Sequence, residues 1–137
     1  MPGSKSNYLE NALLNGVLGG PQFTLPANVY VALSLVVYSD AATGAAMDEV
    51  TGGGYARVAL TNDATSWPAA ASGSKSNGVT ITYPAASSDW TTVRSFYICD
   101  ALSGGNVLYG GDLSTVREVR TGDTAAFAAS SLTITED

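Results

Sequence analysis

Leu9, Leu13 and Val17 recur every four residues near the start of the chain, with Leu14 and Leu18 beside them. This spacing predicts a helix with one apolar stripe. Asn7 and Glu10 stand three residues apart at its start, as the N-cap and N3 positions of a capping box. Gly19-Gly20-Pro21 ends it, because glycine accepts the left-handed geometry that follows a helix and proline forbids continuation. Such a helix needs an apolar surface beneath it, either its own sheet or a neighbouring subunit.

After Pro26 the pattern changes to strands and turns. Residues 29–36 form a nearly continuous apolar run, as expected for a strand buried on both faces. A loop carrying Asp40, Gly44, Asp48 and Glu49 closes at Gly52-Gly53-Gly54, and residues 55–60 are the next strand. Residues 79–83 alternate with period two, which gives one wet and one dry face. The strongest strand is 91–99, with Val93, Tyr97 and Cys99 on one side and Phe96 and Ile98 on the other, placed centrally in a sheet. Val107-Leu108-Tyr109 is a short strand ended by Gly110-Gly111-Asp112, and 115–119, 123–128 and 132–135 complete the set. The expected fold is all-β, an antiparallel jelly-roll-like sandwich of about eight strands with a short N-terminal α-helix. Residues 1–20 are its helical segment and 21–137 its β-sandwich domain. Gly-Ser-Lys-Ser-Asn occurs at 3–7 and again at 73–77, ahead of a helix and of a strand, which reads as coincidence between two polar lead-ins.

Length and composition narrow the function. A chain of 137 residues makes one domain that buries roughly 68% of its unfolded surface, so it needs no metal or disulfide to hold a core. Charged residues are 13% of the total, about half the usual ~25%, so neutral small residues cover much of the surface. The net charge of −6 leaves no basic face for a polyanion, which argues against direct nucleic-acid binding. Cys99 is the single cysteine, in an apolar run, and reads as a small buried hydrophobe. The first residues lack the apolar core of a signal peptide, and no run approaches the ~20 apolar residues that span a bilayer. Synthesis as a soluble product in the cytoplasm, with no membrane partner, is the expectation.

Candidate chemistry is sparse. The chain has no histidine, which removes the usual general base, the Ser-His-Asp and Cys-His arrangements and the commonest metal ligand. Asp89 with Asp100, or Asp48 with Glu49, are the carboxylate pairs easiest to propose for hydrolysis, yet both lie in turn-rich segments where acids serve as turn formers. Asp40, Asp48 and Glu49 lack the spacing of a calcium loop, and the glycine runs lack the Lys-Ser or Lys-Thr of a phosphate-binding loop. No cofactor is expected. Arg94, Arg117 and Arg120 suit planar pairing with acids on a neighbouring subunit, against the plainer reading of Arg120 as exposed beside Glu118. The aromatics read as core before carbohydrate platform, with Trp67, ahead of Pro68, the best candidate for an exposed ring.

Several segments carry a family resemblance: residues 4–14 and 25–33, Gly53-Gly54-Tyr55-Ala56-Arg57, residues 90–100 and 104–110. Through them the chain resembles small phage structural proteins labelled tail fibre proteins, some of which are similar to capsid cement or decoration subunits. The resemblance implies a virion role without catalytic residues. Without heptads or repeats for a shaft, the chain is expected to be a capsid cement protein, its partners being the major capsid protein and two further copies of itself in a homotrimer on the capsid surface. A tail fibre, tip or adaptor subunit that contacts host glycans is the alternative. Leu9, Leu13 and Val17 on the helix, with Arg117 and Arg120, are the expected interface residues.

Overall fold

The computed structural model describes residues 2–136. Met1 and Asp137, the outer bounds of the two expected segments, lie outside them. Among the described residues there are nine strands and one helix: β1 (Pro2–Lys5), α1 (Asn7–Val17), β2 (Asn28–Ser34), β3 (Val58–Thr61), β4 (Ser74–Ser76), β5 (Ile81–Thr82), β6 (Thr91–Cys99), β7 (Val107–Val119), β8 (Ala126–Phe127) and β9 (Thr133–Thr135). Seven strands join one curled sheet in the order β3-β2-β6-β7-β1-β9-β4, and β5 pairs with β8 as a separate ribbon. The all-β expectation holds, together with the short helix. The pairing, though, is a large sheet and a two-stranded ribbon in place of two matched sheets. Nor is it antiparallel throughout, since β1 runs parallel to β9. The expected strand 79–83 is followed at once by Pro84, and 123–128 runs through small Ala residues, which supply few β-branched side chains to pack; both shorten to the two-residue β5 and β8.

The helix begins one residue earlier than the capping-box reading. Ser6, in extended geometry, is the N-cap and its hydroxyl accepts from the Leu9 amide at 3.2 Å. The same hydroxyl donates to the Val107 carbonyl, so the cap also fastens the helix to β7. Ser6 is fully buried. A preceding strand that enters the sheet, not a polar lead-in, fixes where the helix starts.

Strand β6 spans the predicted range and lies inside the sheet between β2 and β7. Its faces differ from the simple alternation: Val93 joins Phe96 and Ile98 in the main core, while Tyr97 and Cys99 belong to a smaller cluster on the other face. A register shift against β7 between Val93 and Ser95 supplies the extra residue that moves Val93 across. Both faces of the centre are therefore covered, one by Trp90, Tyr83, Ile81 and Leu132, the other by Met47 and the loop that carries it.

Gly110-Gly111 does not end a strand, as predicted, but lies within the 13-residue β7. A side chain at Gly110 would collide with the Tyr38 ring, so glycine there lets the 38–47 loop lie flat on the sheet. Tyr38 donates to the Ser4 and Lys5 carbonyls at 3.2 and 3.1 Å, and its own amide donates to Asp112 at 2.6 Å. The two copies of Gly-Ser-Lys-Ser-Asn meet the same strand from opposite sides. Gly3 of β1 lies opposite Ile134 in a parallel pairing and Lys75 of β4 opposite Ile134 in an antiparallel one. Their opposite directions agree with the reading that they are not a structural repeat.

Burial sets an alkaline limit on this fold. It pushes the Cys99 thiol up from 9.0 to about 12, and the phenols of Tyr38 and Tyr109 from 10.0 to about 12. The folded values lie above the unfolded ones, so the neutral groups contribute stability that is complete below about pH 9 and is lost as pH rises towards 12. The urea midpoint is expected to be lower at about pH 11 than at about pH 8; an unchanged midpoint contradicts this. Cys99 should also resist a thiol reagent at neutral pH until the chain unfolds.

Candidate binding groove and the clasp beside it

Two features stand out from the framework: a buried arginine that ties three loops together, and an open apolar groove beside the helix. Arg57 follows the Gly-Gly-Tyr-Ala turn, and its side chain is buried. Its Nε and Nη2 donate to the two Glu49 oxygens, each at 2.8 Å. Nη1 donates to the Ala101 and Gly104 carbonyls at 2.7 and 3.1 Å, and Nη2 also to the Gly44 carbonyl at 2.9 Å. All five N–H donors of a guanidinium are thereby used. Tyr55 completes the clasp, donating to Glu49 at 2.6 Å while accepting from the Leu33 amide at 3.0 Å. Burial and that bond to a carboxylate push its phenol well above the ordinary range.

The clasp decides the fate of the carboxylate candidates. Glu49 is committed to Arg57 and Tyr55, and Asp48 is exposed beside it at positive φ. Asp89 accepts from the Thr121 amide and hydroxyl at 2.8 and 3.1 Å, which holds its carboxyl below the usual range, and Asp100 accepts from the Asn106 amide and side chain at 2.8 and 2.9 Å. Asp100 thereby closes the turn between β6 and β7, and Asp89 ties the segment before β6 to the one after β7. No group of three or more His, Cys, Asp or Glu side chains placed to hold a metal occurs among the described residues.

The clasp also makes a sharp steric prediction at Gly44. A Cβ there would overlap the Gly104 carbonyl, a backbone atom of the loop that Arg57 binds. Gly44→Ala is expected to cost about 1–3 kcal/mol by forcing the loops apart, read as a lowered urea midpoint; an unchanged midpoint contradicts the close approach.

The groove, of about 690 Å3, lies between α1, the 23–26 segment and the 63–75 segment, with Ile98 and Leu108 of the sheet in its wall. Its size falls in the range of ligand pockets, and its lining is mostly aliphatic. The small residues Ala64, Ala69 and Ala70 leave the space unfilled on one side. No hydrophobic periodicity marks this segment in the sequence; its signal is the run of small residues beside Trp67. Trp67 is not the exposed aromatic that was expected: it is buried against the core, with its indole Nε1 lacking a partner among the described residues. Tyr83 and Trp90 are also buried, meeting edge to face at 6.5 Å, and Tyr55 meets Trp90 at 5.4 Å.

The five expected interface residues separate into two regions. Leu9 is buried in the chain's own core, Leu13 is half-buried and lines the groove, and Val17 is exposed at the end of the helix. Arg117 is exposed far along β7 from Leu108, nine residues or roughly 30 Å at the usual rise per residue. Arg120 pairs with Glu118 at 3.1 Å, both side chains exposed, a geometry that contributes little.

Residues 4–135 match a family model described as Podophage GP4 fiber I protein gp80. The chain belongs to this family of small phage virion structural proteins. The match takes in β1 from Ser4, the helix, the clasp and all of the groove's lining except Glu136. No curated protein matched the chain.

Proposed function

We propose that the chain is a non-catalytic fibre subunit of the phage particle, which acts by packing against copies of itself and against other virion proteins. The observation that carries this reading is the family match across residues 4–135, whose description is that of a fibre protein. The chemistry agrees with it: of the acids that offered themselves for catalysis, Glu49 is taken up in the clasp and Asp89 and Asp100 hold loops together, and the groove beside the helix is apolar. Low surface charge favours close protein contacts, where stripping water from ions is costly.

A second reading, a capsid cement protein bound across junctions of the major capsid protein, draws on the body itself. One curled sheet with a single short helix offers no shaft of its own among the described residues. The two readings differ in where the chain sits and in how many copies there are. Heads and tails separated from purified particles, each quantified by mass spectrometry against the major capsid protein, distinguish them. Recovery of a few tens of copies with the tail supports the fibre subunit; hundreds retained on tailless heads replace it with the cement protein.

A further inference from the structure

Beside the groove, α1 turns a second apolar face to solvent. Leu14, Val17, Leu18 and Leu25 are 61, 80, 73 and 68% exposed, a dense set of large aliphatic side chains for a chain that covers Leu9 almost completely. Glu10, Leu14 and Val17 stand at i, i+4 and i+7, so they share one helix face, and Leu18 extends it at the C-cap. The outcome is a ridge with an acid near its first turn and hydrocarbon along the rest.

The groove is concave and mostly aliphatic, and its charged lining residues are Asp63, whose carboxylate accepts from the Thr65 and Ser66 amides, Lys75 and Glu136. Its wall includes Lys75, which has no ion pair or side-chain hydrogen bond among the described residues, whereas Glu136 nearby is paired with Lys5. Glu10 has no cationic partner among them either. With twelve acids against six Lys and Arg, two copies repel one another at long range, so a contact between them gains from setting an acid against one of the few unpaired cations.

We propose that the groove is the docking site for the helix ridge of a second copy of this chain, with Leu14, Val17 and Leu18 seated in the groove and Glu10 set against Lys75 of the receiving copy. A small amphiphile in the groove would leave the ridge in water; a second copy covers both apolar surfaces with one contact. The mode is that of a helix laid in an apolar groove, anchored at i, i+4 and i+7. Each copy gives a ridge and accepts one, so the contact closes as a reciprocal pair or as a ring. The inference rests on the virion-structural reading, in which the chain works by self-packing, and specifies the surface that does it.

Sedimentation equilibrium of the full chain tests it. The wild type is expected to self-associate, and the double variant Leu14→Asp/Val17→Asp to weaken association by about a hundredfold or more while keeping its circular dichroism, since both positions are exposed. Glu10→Lys and Lys75→Glu should each weaken it about threefold or more, and the two together should restore it. An Ala70→Phe chain, with its groove filled but its ridge intact, should pair with the ridge-deficient double variant, although neither self-associates. A wild type that stays monomeric at about 100 μM, or association that ignores the ridge substitutions, overturns the proposal. A monomeric chain still found in purified particles would leave the virion role standing, and a self-associating chain absent from particles would do the reverse, so the two failures are separable.

Discussion

Arg57→Ala is expected to cost about 3–5 kcal/mol, enough to leave a domain of ordinary stability barely folded. The loss does not come from the ion pair as such. It comes from what stays behind: a half-buried Glu49 carboxylate without its counter-ion, and the Ala101, Gly104 and Gly44 carbonyls stripped of a shared donor. Those three carbonyls sit on the loop after β2 and on the turn between β6 and β7, so the loss spreads to both segments. Arg57→Lys should rescue little, because one ammonium cannot span a bidentate carboxylate and three carbonyls. Urea unfolding followed by circular dichroism gives the difference; a loss under about 1 kcal/mol for Arg57→Ala would mean the clasp is incidental to the fold.

A chain that begins at Pro21 should not fold at all. β1 lies inside the sheet, with Ser4 opposite Gly110 and Lys5 opposite Tyr109 on one side and Pro2 opposite Thr133 and Gly3 opposite Ile134 on the other. Its removal leaves two strands with unpaired backbone where the sheet should continue, and takes away Leu9 from the core and the buried Ser6 cap. Gly3 fits because any Cβ would press on the Ile134 side chain and the Phe96 ring. Losing an interior strand in a single cooperative domain exceeds the ~5–15 kcal/mol that holds such domains together. Circular dichroism without a sheet signal is the expected result. A folded truncated chain would show that β1 and α1 form a detachable arm, and would move the helix ridge from the body to a tether.

Periodicity made the long elements legible. Residues 91–99 alternate strongly enough to be placed inside the sheet, and Gly19-Gly20-Pro21 marks the end of the helix because two glycines at positive φ leave it there. β1 was invisible for the opposite reason. Pro2-Gly3-Ser4-Lys5 has no apolar alternation, since its place is set by backbone pairing on both sides and by the lack of a side chain at Gly3. The same blindness merged into β7, where Gly110-Gly111 looks like a turn until the Tyr38 ring that needs the space is seen. The helix stripe pointed to a surface that needs covering, and the structure divides it: Leu9 and Leu13 turn inward, Leu14 and Val17 outward. The clasp was hidden because its acceptors come from segments up to 47 residues away from Arg57, a separation no local pattern reports.

Gradient-purified phage particles analysed by quantitative mass spectrometry test the central claim most directly. A virion structural protein should co-purify with the particles at a fixed ratio to the major capsid protein from one preparation to the next. A chain that is abundant in the infected-cell lysate but absent from the particles would contradict the account.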